Sequence, residues 1–162
     1  MKKYIGGVKV LIGDNFKDKR GLIWTSWKKN KFTKLDFKHD KFSLSKKNVL
    51  RGLHYDNKTW KLVSCPYGKF FLVVINYNKK SKFYKKKFTI MMSQSENIQV
   101  LIPPNFANGH LCLSKFCLFH YKLSYSGKYS DVKNQKNIKW HEKDLNINWP
   151  IKKKLILNKR DK

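Results

Sequence analysis

Short strand-like runs separated by turn residues constrain the fold of this chain more than any other feature. Apolar, β-branched and aromatic residues fill these runs, and pairs such as Pro103-Pro104 and Ser126-Gly127 interrupt them. Many short strands with regular turn signals are typical of antiparallel sandwiches and barrels. The predicted strands are Tyr4–Ile12, Gly21–Trp27, Leu35–His39, Val49–Tyr55, Lys61–Pro66, Lys69–Asn76, Phe83–Met92, Ile98–Ile102, His110–Leu113, Cys117–Ser124 and Ile138–Trp140.

Helical patterns are scarce, and only Lys28–Lys34 and the turn at Ser93–Glu96 are candidates. Aromatic residues make up 15% of the 162 residues and supply the bulk for a core. A jelly-roll barrel accommodates many short strands because its two packed sheets bury both inner faces. We therefore predict an all-β jelly-roll with few short helices, in which residues 1–162 form a single domain.

The formal net charge of +27 indicates an anionic partner. Of the 37 basic residues only Arg20, Arg51 and Arg160 are arginine, so 34 are lysine, and the lysines are spread over the whole chain. Proteins that read bases favour arginine, whose fork grips guanine edges, so we do not expect a nucleic-acid partner. Most lysines are interpreted as a solvated surface that attracts an anionic small molecule such as a nucleotide diphosphate. The alternative, a charge-driven nucleic-acid binder, predicts steeply salt-dependent binding.

The cysteines and the N-terminal residues indicate a protein of the reducing cytoplasm. Cys65, Cys112 and Cys117 are odd in number and lack CxxC spacing, so neither a disulfide framework nor a zinc site is expected. Gly6 and Gly7 interrupt the first apolar run, which argues against a signal peptide. No run approaches the ~18 apolar residues of a membrane span, so no membrane partner is expected.

The stretch NVLRGLHYD, residues 48–56, combines a strand pattern with two side chains that proteins seldom bury without a partner. Arg51 and His54 are three residues apart, so on a regular strand they face opposite sides. Gly52 lies between them, and a glycine inside a strand often marks a bulge that shifts the register by one residue. With a bulge, both side chains point into one cavity; without it, one of them lies on the surface.

Two further strands contain polar residues whose direction matters. In WKLVSC, Lys61 alternates with Val63 and Cys65, so it either faces inward to serve an anion or faces outward as an ordinary surface lysine. In CLFHYKLSY, alternation places Tyr121 on the apolar inner face, as a functional group or as an ordinary core tyrosine. The same alternation predicts that His120 is exposed on the opposite face.

Five segments of the chain, in matching order, resemble the dTDP-4-dehydrorhamnose 3,5-epimerase family. They are SLSKKNVLRGLHYD, KLVSCPYGKFFLVVINY, LIPPNFANGH, FHYKLSY and the ending LNINWP…LILNKRD. The resemblance implies a double-stranded β-helix (cupin) fold, a homodimer, and no metal or cofactor. It also implies an isomerase that inverts carbons next to the C4 ketone of a nucleotide-linked 4-keto-6-deoxy sugar.

The resemblance assigns a role to each polar side chain discussed above. It makes His54 the general base, Asp161 the carboxylate that orients its imidazole, and Tyr121 the acid on the opposite face of the sugar. Lys61 corresponds to the cation that faces the developing enolate oxygen. Such an enzyme needs no cofactor, because these groups supply the base, the acid and the charge.

Arginines and polar residues around the predicted catalytic group are implied to bind the substrate. Arg51, and Arg20 across a dimer interface, correspond to family arginines that grip the diphosphate. The remaining positions of the predicted binding region are His39, Asn108, Thr25 and Tyr125.

Several of these positions depart from the family pattern. The family motif IPxxFAHGF has histidine where this chain has Asn108, which removes a substrate contact and leaves too few ligands for a cupin metal site. His110 either replaces that contact or is a core or turn histidine. Thr25 replaces a glutamate and His39 a glutamine, and Tyr125 and Tyr129 stand in for the aromatic pair of the family motif NYYSP.

These departures suggest the branch of the family that acts on GDP-linked 4-keto-heptoses, in the biosynthesis of a capsule or lipopolysaccharide sugar. The nucleotide is thus expected to be GDP or dTDP. Two alternatives remain within the cupin class. One is a non-catalytic protein that binds a sugar nucleotide or glycan, and the other is a 3,4-ketoisomerase that moves the ketone between carbons.

Overall fold

A computed structural model describes residues 2–29, 35–130 and 134–162 of the chain. Its strands are β1 (Lys2–Tyr4), β2 (Val8–Ile12), β3 (Asn15–Asp18), β4 (Gly21–Trp24), β5 (His39–Lys46), β6 (Leu50–Tyr55), β7 (Trp60–Tyr67), β8 (Lys69–Asn76), β9 (Lys87–Ser93), β10 (Ile98–Ile102), β11 (Phe106–Cys112), β12 (Phe116–Ser124) and β13 (Lys136–Asn137). The helical segments are short 3-10 turns, including Lys143–Leu145 and Lys159–Asp161.

Two antiparallel sheets pack against each other, which confirms the all-β jelly-roll prediction. One sheet has six strands in the order β1-β2-β10-β7-β12-β5, and the other has five in the order β13-β6-β11-β8-β9. Among the strands of the described residues, β3 and β4 pair only with each other and form a separate hairpin. None of the helices in the described ranges is long and apolar enough to cross a membrane.

The five-stranded sheet is buried on both faces, as strand β8 illustrates. Its residues Phe70 and Leu72 point into the core between the sheets, while Val73 and Ile75 point to the other side. There they pack against the C-terminal segment, which contributes Leu145, Ile147 and Trp149. Each such buried side chain contributes about 1.5–3 kcal/mol, so the C-terminal segment is firmly attached to the sheet.

The edge of the cavity described below is shaped where β6 approaches β11. Asn108 pairs with His54 and His110 with Arg51, so two steps on β11 match three on β6. This extra residue is a bulge at Gly52, one of the two arrangements that the sequence left open, and it turns Arg51 and His54 to the same side. A Cβ atom on Gly52 would lie 2.5 Å from the Cα of Gly109, so only glycine permits this approach.

Some predicted elements differ from the structure. Strand β5 begins at His39, whereas a strand was predicted over Leu35–His39, and β9 begins four residues later than predicted. The predicted strand Ile138–Trp140 is absent as such, although Ile138 exchanges two backbone hydrogen bonds with Leu53. In the predicted helix Lys28–Lys34, residues 30–34 lie outside the described residues, and residues 28–29 are not helical. Ser93–Glu96 forms the predicted turn.

Replacement of Gly52 by alanine is expected to destabilise the protein through this contact. Gly52 and Gly21 have similar φ values of +125° and +134°, but a Cβ on Gly21 would meet no atom within 4 Å. Both Gly52→Ala and Gly21→Ala incur backbone strain. The difference between their losses in free energy of unfolding therefore isolates the clash with Gly109. We expect Gly52→Ala to lower the free energy of unfolding by about 2 kcal/mol more than Gly21→Ala. Urea denaturation measures this, and equal losses would contradict the close approach.

Candidate active site

A cavity of about 270 Å³ lies between the two sheets. It is lined by Ser43, Arg51, His54, Lys61, Asn108, His110, Phe119, Tyr121, Leu123, Tyr129, Gln135, Asn158, Arg160 and Asp161. His54 and Asn108 come from the five-stranded sheet, whereas Lys61 and Tyr121 come from the six-stranded sheet. A molecule in the cavity therefore has polar groups of opposite walls on its two sides.

His54 is hydrogen-bonded to a buried carboxylate. Its Nε2 lies 2.6 Å from Oδ1 of Asp161, which is 3% exposed. Burial by itself raises the pKa of Asp161, but the hydrogen bond and positive charge that His54 can supply, with the Gly52 amide, hold this pKa below its ordinary value. The carboxylate is therefore ionised at neutral pH. It favours the tautomer of His54 with hydrogen on Nε2, which leaves Nδ1 as a base.

Asp161 reaches His54 because the C-terminal residues are tied to the sheet. The backbone of Ile156 exchanges hydrogen bonds with Asn48 and Leu50, and the 3-10 turn Lys159–Asp161 follows. The side chain of Asn158 caps this turn by accepting a hydrogen bond from the Arg160 amide at 3.1 Å. The carboxylate is thus placed by backbone and cap contacts.

Lys61 points into the cavity and is 7% exposed, which decides between the two directions that the sequence left open. Its Nζ donates a 2.7 Å hydrogen bond to Oδ1 of Asn108, the residue that replaces the family's histidine. Burial lowers the pKa of Lys61 to about 8, against the opposing effect of the Asp56 charge. The ammonium group is therefore charged at neutral pH, yet held in a medium where an approaching anion stabilises it strongly.

Tyr121 lies on the inner face of β12, as alternation predicts. Burial raises its pKa, while the positive charges of Lys41 and Arg51 act in the opposite direction. The phenol is therefore protonated at neutral pH and can donate a proton. It stands in the wall opposite His54, since β12 and β6 belong to different sheets.

Positive charge dominates the cavity. Arg51 donates from Nε to the hydroxyl of Ser45 at 3.0 Å, which fixes its direction at the rim. Arg160 and Lys61 add two more cations, and Asp161 is the sole carboxylate among the described residues that line the cavity. An anionic ligand would restore the charge balance of this region.

His39, Tyr125 and Tyr129 form an aromatic cluster beside the cavity. The ring of His39 is stacked on Tyr125, with the two centroids 5.6 Å apart, and its Nδ1 lies 3.0 Å from the Tyr125 hydroxyl. Of the three, Tyr129 lines the cavity, and Lys41 donates a 3.2 Å hydrogen bond to its hydroxyl. Thus Tyr129 lines the cavity, and Tyr125 packs against it outside the cavity lining, with the two ring centroids 5.4 Å apart.

Arg20 and Thr25 are not brought to this cavity. Arg20 is exposed on the β3–β4 hairpin and forms an ion pair with Asp18 at 2.6 Å. Thr25 is exposed directly after the hairpin. A role for either residue in substrate binding remains a prediction that needs a second subunit.

The prediction that His120 is exposed was wrong. His120 is 5% exposed, with Nδ1 2.7 Å from the hydroxyl of Ser64 and Nε2 2.5 Å from Oδ1 of Asp40. Phe42 stacks on its ring with a centroid distance of 4.6 Å. These contacts bury the imidazole on the outer face of the sheet, away from the cavity.

The structure adds cavity residues that the sequence did not single out. Arg160 was noticed only as one of three arginines, although its position next to Asp161 was the available signal. Asn158 carried no pattern of its own. His110, which the sequence left open as a substrate contact or a core or turn histidine, also lines the cavity. The described residues contain no group of three or more histidine, cysteine, aspartate or glutamate side chains that could hold a metal ion.

The buried cation at Lys61 is expected to make stability rise with pH. The folded form loses this proton near pH 8, whereas the unfolded chain keeps it to about 10.5. Between these values the unfolded state binds more protons, so the free energy of unfolding increases with pH. Between pH 8 and 10.5, the free energy of unfolding of the wild type should rise by about 3 kcal/mol relative to that of Lys61→Met. Urea denaturation of both proteins from pH 7 to 10.5 measures it, and parallel curves would contradict the depressed pKa.

Comparison with known proteins assigns the chain to a family. The family model described as dTDP-4-dehydrorhamnose 3,5-epimerase matches residues 2–162. A curated protein of that name from Salmonella typhimurium is 32% identical, over 99% of this chain and 91% of its own length. A protein of the same name from Shigella flexneri is 34% identical, over 89% of this chain and 82% of its own length.

A solved structure agrees with this assignment. It is the crystal structure of a dTDP-6-deoxy-D-glucose-3,5-epimerase from Legionella pneumophila, in complex with dTDP-4-keto-L-rhamnose. It has a TM-score of 0.89 and 28% identity, and the match covers 95% of this chain and 84% of that one. The cavity and the sequence therefore lead to one conclusion: this chain belongs to the dTDP-4-dehydrorhamnose 3,5-epimerase family.

Proposed function

We propose that this chain is a cofactor-independent epimerase that inverts C3, C5 or both of a dTDP-linked 4-keto-6-deoxy sugar through an enolate. The observation that carries the proposal is the 2.6 Å pair of His54 and Asp161 in a cavity that Lys61 and Tyr121 also line. Residues 1–162 act as a single domain in this proposal, because both sheets and the C-terminal segment contribute to the cavity.

The chemistry requires a base, a charge and an acid. A proton next to a ketone is weakly acidic, so His54 removes it while Asp161 stabilises the imidazolium that forms. Electron density moves to the C4 oxygen, where the Lys61 ammonium stabilises the enolate; such a charge can contribute about 3 kcal/mol in a dry site. Tyr121 then donates its proton to the same carbon from the opposite face, which inverts the centre.

The nucleotide in this proposal is dTDP, because the names of the matching relatives specify dTDP-linked sugars. The GDP-heptose branch suggested by the sequence departures is kept as the competing substrate class. Arg51 and the basic surface support either diphosphate, since both attract phosphate oxygens. The proposal places the reaction in the cytoplasm, in the supply of a sugar for a cell-surface polysaccharide.

Deuterium exchange tests the reaction directly. In D2O, NMR should detect deuterium at C3, C5 or both of a dTDP-linked 4-keto-6-deoxyhexose, and the GDP-linked ketone should react at least about tenfold more slowly. Replacement of His54 by Asn should lower exchange at both carbons by roughly 10³-fold, because it removes the base.

The matched control is His141→Asn, which changes an exposed histidine that does not line the cavity. It should leave exchange unchanged. If the wild type exchanges no deuterium with dTDP-, GDP- or UDP-linked ketones, the epimerase proposal is wrong. Tight binding of a sugar nucleotide without exchange would favour the non-catalytic cupin. Formation of a product with a C3 ketone would favour the 3,4-ketoisomerase.

A homodimer is part of the proposal. The β3–β4 hairpin pairs with no other strand in the described part of the chain, and it exposes Phe16 and Ile23, at 64% and 70%. Phe16 and Ile23 are paired across the hairpin, and contiguous exposed apolar residues of this kind mark association surfaces. Burial of the hairpin on a second copy would also give Arg20 a route to the neighbouring cavity.

We expect the wild type to sediment as a dimer at micromolar concentration. Ile23→Glu should weaken association by at least about tenfold, because it buries a charge in the contact. Ile156→Glu, at an exposed position outside the hairpin, is the control and should remain dimeric. A monomeric wild type, or equal behaviour of both variants, would argue against this surface.

A further inference from the structure

His110 is a buried imidazole on the inner face of β11. On this face Phe106 and Cys112 belong to the apolar core, whereas Asn108 and His110 line the cavity. His110 is 3% exposed. It therefore forms the part of the cavity wall where the site meets the core.

The surroundings of His110 keep it neutral. Its ring is stacked on Phe119 with a centroid distance of 4.3 Å and an interplanar angle of 10°. Burial lowers its pKa to about 3, and the charges of Arg51 and His54 act in the same direction. A neutral imidazole offers one N–H donor and one acceptor nitrogen.

One nitrogen of this ring has no hydrogen-bond partner within the described part of the chain. Its Nε2 is buried and has no hydrogen-bond partner there. A phenylalanine, which the family motif IPxxFAHGF has at this position, would keep the stack on Phe119 without a buried polar atom. Unpaired buried polar groups are rare in native proteins and call for a specific reason.

We propose that His110 is a specificity-determining residue, whose imidazole donates or accepts a hydrogen bond with a hydroxyl group of the bound sugar. This inference rests on the proposed function. Rotation of the ring about its Cβ–Cγ bond exchanges its nitrogen and carbon edges, so it can present a nitrogen to the cavity. The side-chain carbonyl of the neighbouring Asn108 already accepts a hydrogen bond from Lys61. His110 is neutral, so its nitrogen suits an uncharged polar group such as a hydroxyl.

The test compares catalysis, nucleotide binding and stability in His110→Phe. With the dTDP-linked 4-keto-6-deoxyhexose, kcat/KM for deuterium exchange should fall roughly 10- to 100-fold, the effect of one lost hydrogen bond at a buried site. The Kd of dTDP alone, measured by calorimetry, should stay within about twofold, because dTDP lacks the 4-keto-6-deoxyhexose that His110 is proposed to contact. The unfolding midpoint should be equal to or above that of the wild type.

His110→Gln is the matched variant, because its carboxamide keeps a donor and an acceptor. It should recover most of the lost kcat/KM if hydrogen bonding matters. Unchanged kcat/KM in His110→Phe, or an equal loss of dTDP affinity, would overturn the role of His110 while leaving the epimerase proposal intact. Absence of exchange in the wild type would overturn both.

Discussion

The close approach of β6 to β11 is the constraint on which the rest of the site depends. Gly52 and Gly109 let the two backbones meet, and the extra residue on β6 turns Arg51 and His54 toward the same cavity. A regular strand would place one of them on the outer face, under the C-terminal segment. The same bulge presents the Gly52 amide to Asp161, at 3.4 Å, so it positions both members of the histidine–carboxylate pair.

The electrostatics of the cavity follow from burial of more positive than negative charge. Lys61 is kept charged in an apolar surrounding by the Asn108 carbonyl and the Asp56 carboxylate. Its desolvation is only partly offset, as its pKa of about 8 indicates. A developing negative charge on an enolate oxygen would offset the remaining desolvation of the Lys61 ammonium. Lys61 would therefore interact more strongly with the enolate intermediate than with the neutral ketone. This difference is what transition-state stabilisation requires.

Local rules predicted the parts of the fold that depend on strand geometry. The glycine between Arg51 and His54 marked the place where a bulge could form, and alternation placed Tyr121 inside. The direction of Lys61 could not be decided, because one inward lysine among 34 has no distinguishing pattern and its partner Asn108 is 47 residues away. His120 was misjudged because its burial comes from contacts across strands, with Asp40 and Ser64. Such pairs depend on register, which single strands do not reveal.

The polar groups of the cavity divide into two kinds by how their hydrogen bonds are satisfied. His54 and Lys61 have protein partners at 2.6 Å and 2.7 Å, so their directions are set before any substrate arrives. Preorganised groups of this kind suit proton transfer and charge stabilisation, because no reorganisation is needed during the reaction. Within the described part of the chain, His110 stacks on Phe119 while its buried Nε2 has no hydrogen-bond partner. The paired residues thus suit the proposed proton transfer and charge stabilisation, whereas in our proposal the unpaired nitrogen of His110 recognises the sugar.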